Sequence, residues 1–376
     1  MASASRSVSA RQGVGAPRKG RGAVSNIAHR FESVERVIDP EAGAVERPDD
    51  TDRTVDDDLP PLRTEVTLET ARSLITRNDS PDIPFDRSLN PYRGCEHGCV
   101  YCYARPTHSY LNLSPGLDFE TRLVAKTNAA AVLRQELAAP AYRVGYVAIG
   151  TATDAYQPIE RELKITRAVL QVLAEARHPF GIVTKSALIE RDIDLLAPMA
   201  GDSLVQAFIS LTTLDATLSR ILEPRAASPQ RRLRTIETLA RAGIPVHVNV
   251  APVIPFINEP EIERLLAAAA DAGAVKSHYT VLRLPWEVAP LFEQWLAVHF
   301  PLRAERVMNR VREMRGGRDY DARFGTRMKG SGTWSELIRQ RFDKASARYG
   351  LDRSLPEPRA DLFERPRAHG PQIELF

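Results

Sequence analysis

From about Leu62 onward the chain alternates short apolar runs with longer segments whose apolar residues recur at helical spacing. Val144–Gly150, Phe180–Thr184, Val205–Leu211, Val246–Val250 and His278–Leu284 have the length and apolarity of buried strands. Between them, Glu160–Arg177 carries Leu163, Leu170 and Leu173 on one helical face. Ala125–Leu137, Ile189–Met199, Glu259–Ala272 and Val288–Val298 predict further helices. Another starts at Ser228 followed by Pro229, a capping residue before a proline in the first turn, and stops at Gly243. A strand-like stretch near Glu65–Thr70 leads in, and Arg87–Tyr92 is expected as the first core strand. Strands alternating with covering helices mean a parallel α/β sheet. About six βα units are present, fewer than a closed eight-fold barrel needs. In such sheets the reactive groups lie where strands end and helices begin. One rim should therefore gather Cys95–Cys102, Gly150–Asp154, Thr184–Ser186, Ser210–Thr213 and Ala251–Pro255.

The flanks differ from this body. Residues 1–61 read as a disordered tail: the first thirty hold Arg6, Arg11, Arg18, Lys19, Arg21 and Arg30 and no acid, and from Glu32 the sign reverses. Residues 62–300 are the expected barrel and 301–376 a basic extension. Within the extension, Arg303–Arg348 holds thirteen Lys or Arg against six Asp or Glu, interleaved with glycines, Tyr320, Phe324 and Trp334. That pattern suits tracking a phosphate backbone, with Arg327 and Lys329 as candidates, or a solvated helical cap. The whole chain of 376 residues is 43% hydrophobic with a net charge of +3, too small to dictate a partner. No apolar run suggests a membrane span, and the basic N-terminus lacks the apolar core of a secretory signal, so a cytoplasmic location is expected.

All three cysteines of the chain fall in one loop: Cys95, Cys99 and Cys102, spaced C-x3-C-x2-C. They cannot all pair as disulfides, and nothing suggests secretion. Thiolates are soft ligands for iron–sulfur clusters and zinc. A loop this tight suits a cubic cluster with one iron left open. The alternatives are zinc, with His97 or His108 as fourth ligand, and three inert buried thiols.

The triplet with Tyr101 before its last cysteine, within NPYRGC and YCYARPTH and followed later by GTATDAYQPIE, resembles the radical S-adenosylmethionine (radical SAM) signature, and most closely its spore photoproduct lyase-like branch. The resemblance covers roughly residues 80 to 300. It implies a partial (β/α)6 barrel in which Cys95, Cys99 and Cys102 bind a 4Fe–4S cluster. SAM chelates the open iron and is reductively cleaved to methionine and a 5′-deoxyadenosyl radical that abstracts hydrogen. An electron donor such as a flavodoxin or ferredoxin is implied, and nucleic acid, a small molecule or a peptide is the substrate.

The resemblance also implies a SAM site on the rim. Gly150 lets the backbone approach a ligand, and Thr151 and Asp154 are candidates for the SAM amine, where many members carry a Gly-Gly-Glu variant that is absent here. Lys185, Ser186 and Ser210 suit the ribose and carboxylate, and Arg225 suits the carboxylate. Val253 contributes to an apolar wall for the adenine, against which Tyr101 packs. Tyr103, Arg105 and His108 border the substrate space, and His97 is an exposed loop residue. The lyase itself uses a further cysteine as hydrogen donor. None is available here, so Tyr156 or Tyr279 is the expected substitute, or the reaction differs.

Overall fold

A computed structural model describes residues 17–32 and 62–367. Ten strands carry the architecture: β1 (Glu65–Glu69), β2 (Ile75–Arg77), β3 (Arg87–Leu89), β4 (Tyr92–Arg93), β5 (Arg122–Lys126), β6 (Val147–Ile149), β7 (Phe180–Thr184), β8 (Val205–Ser210), β9 (Val246–Val253) and β10 (Lys276–Val281). The main sheet runs β10-β9-β8-β7-β6-β3-β2. From β3 to β10 its neighbours are parallel, giving the six expected units; only β2 is antiparallel, on β3. Side chains alternate across each strand. Val205, Ala207 and Ile209 of β8, with Val246, Val248 and Val250 of β9, enter the main core. There they meet helices such as Ile165–Glu175, Pro229–Arg241 and Ile262–Asp271. Gln206, Phe208 and Asn249 face the other way and are less buried.

Several boundaries depart from the periodicity. Ala125 belongs to β5, which pairs with β1 and β4 in a second sheet, and the helix begins only at Ala129. Asn128 makes the turn between them, its side chain exchanging hydrogen bonds with the Ala71 backbone at 2.8 and 2.9 Å. The helix expected over Glu160–Arg177 breaks at Lys164, which adopts φ +52°. Helix Pro229–Arg241 starts and stops where expected, with Ser228 Oγ accepting from the Arg231 amide and Gly243 at φ +78°.

The basic extension is no separate appendage. Val307, Met308 and Val311 share a core with Trp295, Leu222 and the cysteine-loop residues Cys99, Val100 and Tyr101. Helix Gly332–Arg348 packs on β10, with Phe342 against Tyr279 at 4.5 Å. Gly316–Gly330 ties the two edges of the main sheet. Arg315 donates to the carbonyls of Leu282 (2.8 Å) and Thr326 (2.8 Å), and the Val281 amide to that of Met328 (2.9 Å). Beyond them Arg327 grips Asp82, in the β2–β3 connection, at 2.5 and 2.7 Å.

Residues 17–32, within the stretch expected as a solvated tail, lie against the body as a strap. Ala23 and Val24 are buried. The physical reason is Glu120, whose carboxylate accepts the Gly22 and Ala23 amides at 2.9 and 2.8 Å. The rest of the expected tail, residues 1–16 and 33–61, lies outside the described residues. Among the described residues no helix is long and apolar enough to cross a membrane.

Candidate active site

Two sheets hold the cysteine loop. β3 delivers the chain to the rim, and β4, paired with β5, turns it back at Gly94. The Cys95 amide donates to the Phe119 carbonyl (2.9 Å), and the Cys102 amide to that of Cys99 (3.2 Å). Gly98 adopts φ +66°, and a Cβ there would sit 2.7 Å from the Glu120 carboxylate. Behind the loop Arg105, wholly buried, donates to the carbonyls of Cys99 (2.9 Å), Gly98 (3.2 Å), Pro115 (3.0 Å) and Gly116 (2.9 Å). It also pairs with Glu120 at 2.5 Å. Arg105 and His108 were expected to border open space; both are instead fully buried supports, His108 meeting the Arg122 carbonyl at 2.9 Å.

Cys95 and Cys99 are buried and Cys102 is half-buried. Burial pushes the Cys99 thiol up to about 12, against the pull of Lys185, and raises Cys95 well above the usual range. At neutral pH these groups stay protonated unless a metal displaces the proton. Three thiols on one loop fit a cluster, which takes each at a separate iron.

The second loop of the rim, Gly150–Asp154, is braced against the first. Thr153 Oγ1 donates to the Gly94 carbonyl (2.6 Å) and the Ala152 amide to Asn90 Oδ1 (2.9 Å). Gly150 sits at φ +83°, and a Cβ there would lie 2.6 Å from the Val183 carbonyl. Thr151 remains half-buried at the rim, its carbonyl accepting from the Tyr103 hydroxyl. Asp154 points elsewhere. It accepts from Thr184 Oγ1 (2.7 Å) and the Lys185 amide (2.8 Å), and lies 3.1 Å from His97 Nδ1. Burial opposes its ionisation, but His97 and these donors hold its carboxyl far below the usual range. His97 is therefore a buried brace between the two loops, and neither an exposed residue nor a free metal ligand.

A third feature was invisible in the periodicity. Glu223, deep behind the rim, accepts from Tyr101, Thr212 and Arg232. Burial works against its charge, yet Arg232 and Lys185 lower its affinity for a proton. Tyr101, expected against an adenine, is anchored here, with Lys185 Nζ 5.9 Å from its ring centre. Arg232 also holds the Ser210 carbonyl at 3.1 Å, fixing the end of β8. The only sequence signal for Glu223 was its place two positions before the candidate Arg225.

The remaining candidates divide. Arg225 lies 3.0 Å from Glu96 and borders a cavity of about 500 Å³ with His97, Ser186 and Arg161. Ser186 caps the turn that follows β7, accepting from the Leu188 amide at 3.2 Å. Val253 is fully buried in the main core and offers no open wall. Tyr156 is buried with its hydroxyl committed to Asp192 Oδ2 at 3.0 Å. Tyr279 lies between sheet and helix, with Lys329 Nζ 3.2 Å from its ring centre. The Tyr279 hydroxyl, unlike that of Tyr156, is buried without a hydrogen-bond partner among the described residues. Arg327 is latched to Asp82 and Lys329 bonds the Tyr279 carbonyl at 2.9 Å, so neither is free to track phosphates.

A six-stranded partial barrel with three cysteines on the loop after its first strand defines the radical SAM class. The chain belongs to the radical SAM superfamily, whose family model matches residues 89–269. It is an enzyme whose cofactors are a 4Fe–4S cluster and SAM, and whose chemistry draws on a reductant. An uncharacterized protein of Mycobacterium tuberculosis strain H37Rv is 38% identical over 271 residues, 72% of this chain and 76% of that one. One from Methanocaldococcus jannaschii is 28% identical over 173 residues, 46% of this chain and 62% of that one. Among solved structures, spore photoproduct lyase complexed with dinucleoside spore photoproduct shares the fold, with a TM-score of 0.51 at 16% identity over 76% of this chain and 79% of that one. A mutant of the lyase with bound AdoMet and the same dinucleoside matches at 0.52 and 16%, over 76% and 79%.

Proposed function

We propose that this radical SAM enzyme acts on nucleic acid, taking its electron from a flavodoxin- or ferredoxin-type donor in the cytoplasm. The observation that carries the substrate class is the lining beside Cys102: the Arg283 guanidinium lies 5.1 Å from the ring centre of Tyr103 and 5.9 Å from that of Tyr320. Cations interleaved with aromatic rings suit a phosphate backbone and stacked bases. The lyase of the same fold holds a dinucleoside, which agrees.

In this reading Cys95, Cys99 and Cys102 each hold one iron of the cluster. Such a cluster, when bound, would supply the electron for reductive cleavage of SAM. The chain's own residues position and shield. Gly150 lets its loop pack against the end of β7, Thr151 at the rim would face the SAM amine and carboxylate, and Lys185 adds a cation. Asp154 and Glu223 act indirectly, the first locking the two loops together, the second fixing Tyr101 and, through Arg232, the end of β8. With no cysteine outside the loop, the hydrogen returned to substrate comes from a group other than a protein thiol.

The test is anaerobic reconstitution, then dithionite and SAM with single-stranded oligonucleotides or a metabolite extract. About four irons per chain, lost in Cys95→Ala, with 5′-deoxyadenosine formation stimulated by oligonucleotides, are expected. Stimulation by the extract alone would move the substrate to the small-molecule class.

A further inference from the structure

Arg283 lies beside Tyr103 at the rim, and it differs from the other cations of the region. Arg327 is neutralised by Asp82. Lys185 lies in the field of Glu223 and Cys99. Arg283 has no carboxylate within ion-pair distance among the described residues. It follows the C-terminal end of β10, on the rim that also carries the cysteine loop. Its guanidinium lies 5.1 Å from the ring centre of Tyr103 and 5.9 Å from that of Tyr320. Nη2 donates to the Tyr320 hydroxyl (3.1 Å), Nη1 contacts Met328 Sδ (3.4 Å), and Nε is buried without a partner.

A half-buried guanidinium held between two rings, with no carboxylate beside it among the described residues, is poised for an anion. Resting on the nucleic-acid reading above, we propose that Arg283 receives one backbone phosphate of the substrate, with Tyr103 and Tyr320 flanking it to stack the neighbouring bases. The location supports this: Tyr103 directly follows Cys102. Tyr320 belongs to the Gly316–Gly330 segment, which crosses between the two edges of the main sheet, where an open barrel admits a strand.

The experiment measures binding of a fluorescein-labelled thymidine octamer by anisotropy across a salt series, using the reconstituted protein. Arg283→Gln should weaken binding tenfold or more and flatten the salt dependence by about 0.7 in log–log slope, the contribution of one single-strand phosphate. Arg283→Lys should recover the slope but only part of the affinity, a rescue that a purely structural role would not give. Arg318→Gln, an exposed cation elsewhere on the segment, should behave as wild type. Unchanged affinity and slope in Arg283→Gln, or Arg283→Lys as weak as Arg283→Gln, would overturn the subsite while leaving the nucleic-acid reading in place. A wild-type protein that binds no octamer at any salt would overturn that reading itself.

Discussion

Single residues at the rim hold geometry that no substitution by a similar side chain preserves. Gly150→Ala places a methyl group against the Val183 carbonyl at a left-handed φ. It should cost about 1–3 kcal/mol in urea unfolding and weaken SAM binding by equilibrium dialysis. Glu223→Gln leaves Arg232 buried with a neutral partner. A loss of about 3 kcal/mol is expected, the scale for breaking a buried ion pair, and unchanged urea stability would refute the assignment of Glu223 as the anchor of β8. The cysteines were legible because spacing alone exposes them. Glu223 was not singled out, and the bracing contacts of Asp154 were not foreseen, because they depend on partners far away in sequence: Arg232, Tyr101 and Thr212 for one, His97 and Lys185 for the other. Tyr156 and Tyr279 show the same limit, since burial and a hydroxyl's partner are tertiary facts.

At the scale of elements, the six parallel strands followed from the alternation of short apolar runs and helical faces. The second sheet did not, because β5 is a strand only through its pairing with β1 and β4, and its sequence RLVAK adjoins an alanine-rich helix. The strap was missed for a related reason. Its composition is that of a tail, and its order comes from two backbone amides finding one buried carboxylate. A Cβ at Gly22 would lie 1.8 Å from the Gly98 carbonyl. Gly22→Val should therefore unseat the strap, raising protease cleavage near Arg18–Arg30 several-fold and speeding iron loss in air while far-ultraviolet circular dichroism is retained. The latch makes a separate prediction. Bonds from Arg327 hold the Asp82 carboxyl below its usual range. A depressed carboxylate lends stability above its unfolded value and loses it as pH falls through the folded one. Asp82→Asn should thus increase cleavage within Gly316–Gly330 at neutral pH and remove the acid sensitivity of that segment.

Across the whole molecule, buried histidines set the response to acid. Burial lowers His108 to about 4, His178 to about 4 and His247 to about 3. The unfolded chain takes these protons near pH 6.5, before the folded one does. Stability should therefore be full above about 6.5 and fall progressively as the pH drops toward 4, on the order of 1 kcal/mol per pH unit for each histidine. His178→Gln should flatten that slope in urea titrations; an unchanged slope would count against it. The strap has a consequence for how the protein comes to exist. It precedes the cysteine loop in the chain and is therefore synthesised first, yet it closes over the back of that loop. Iron and sulfide must reach the thiols from the barrel side or before the strap seats. By the second route maturation runs against the order of synthesis, and a seated strap marks the molecules that are already loaded.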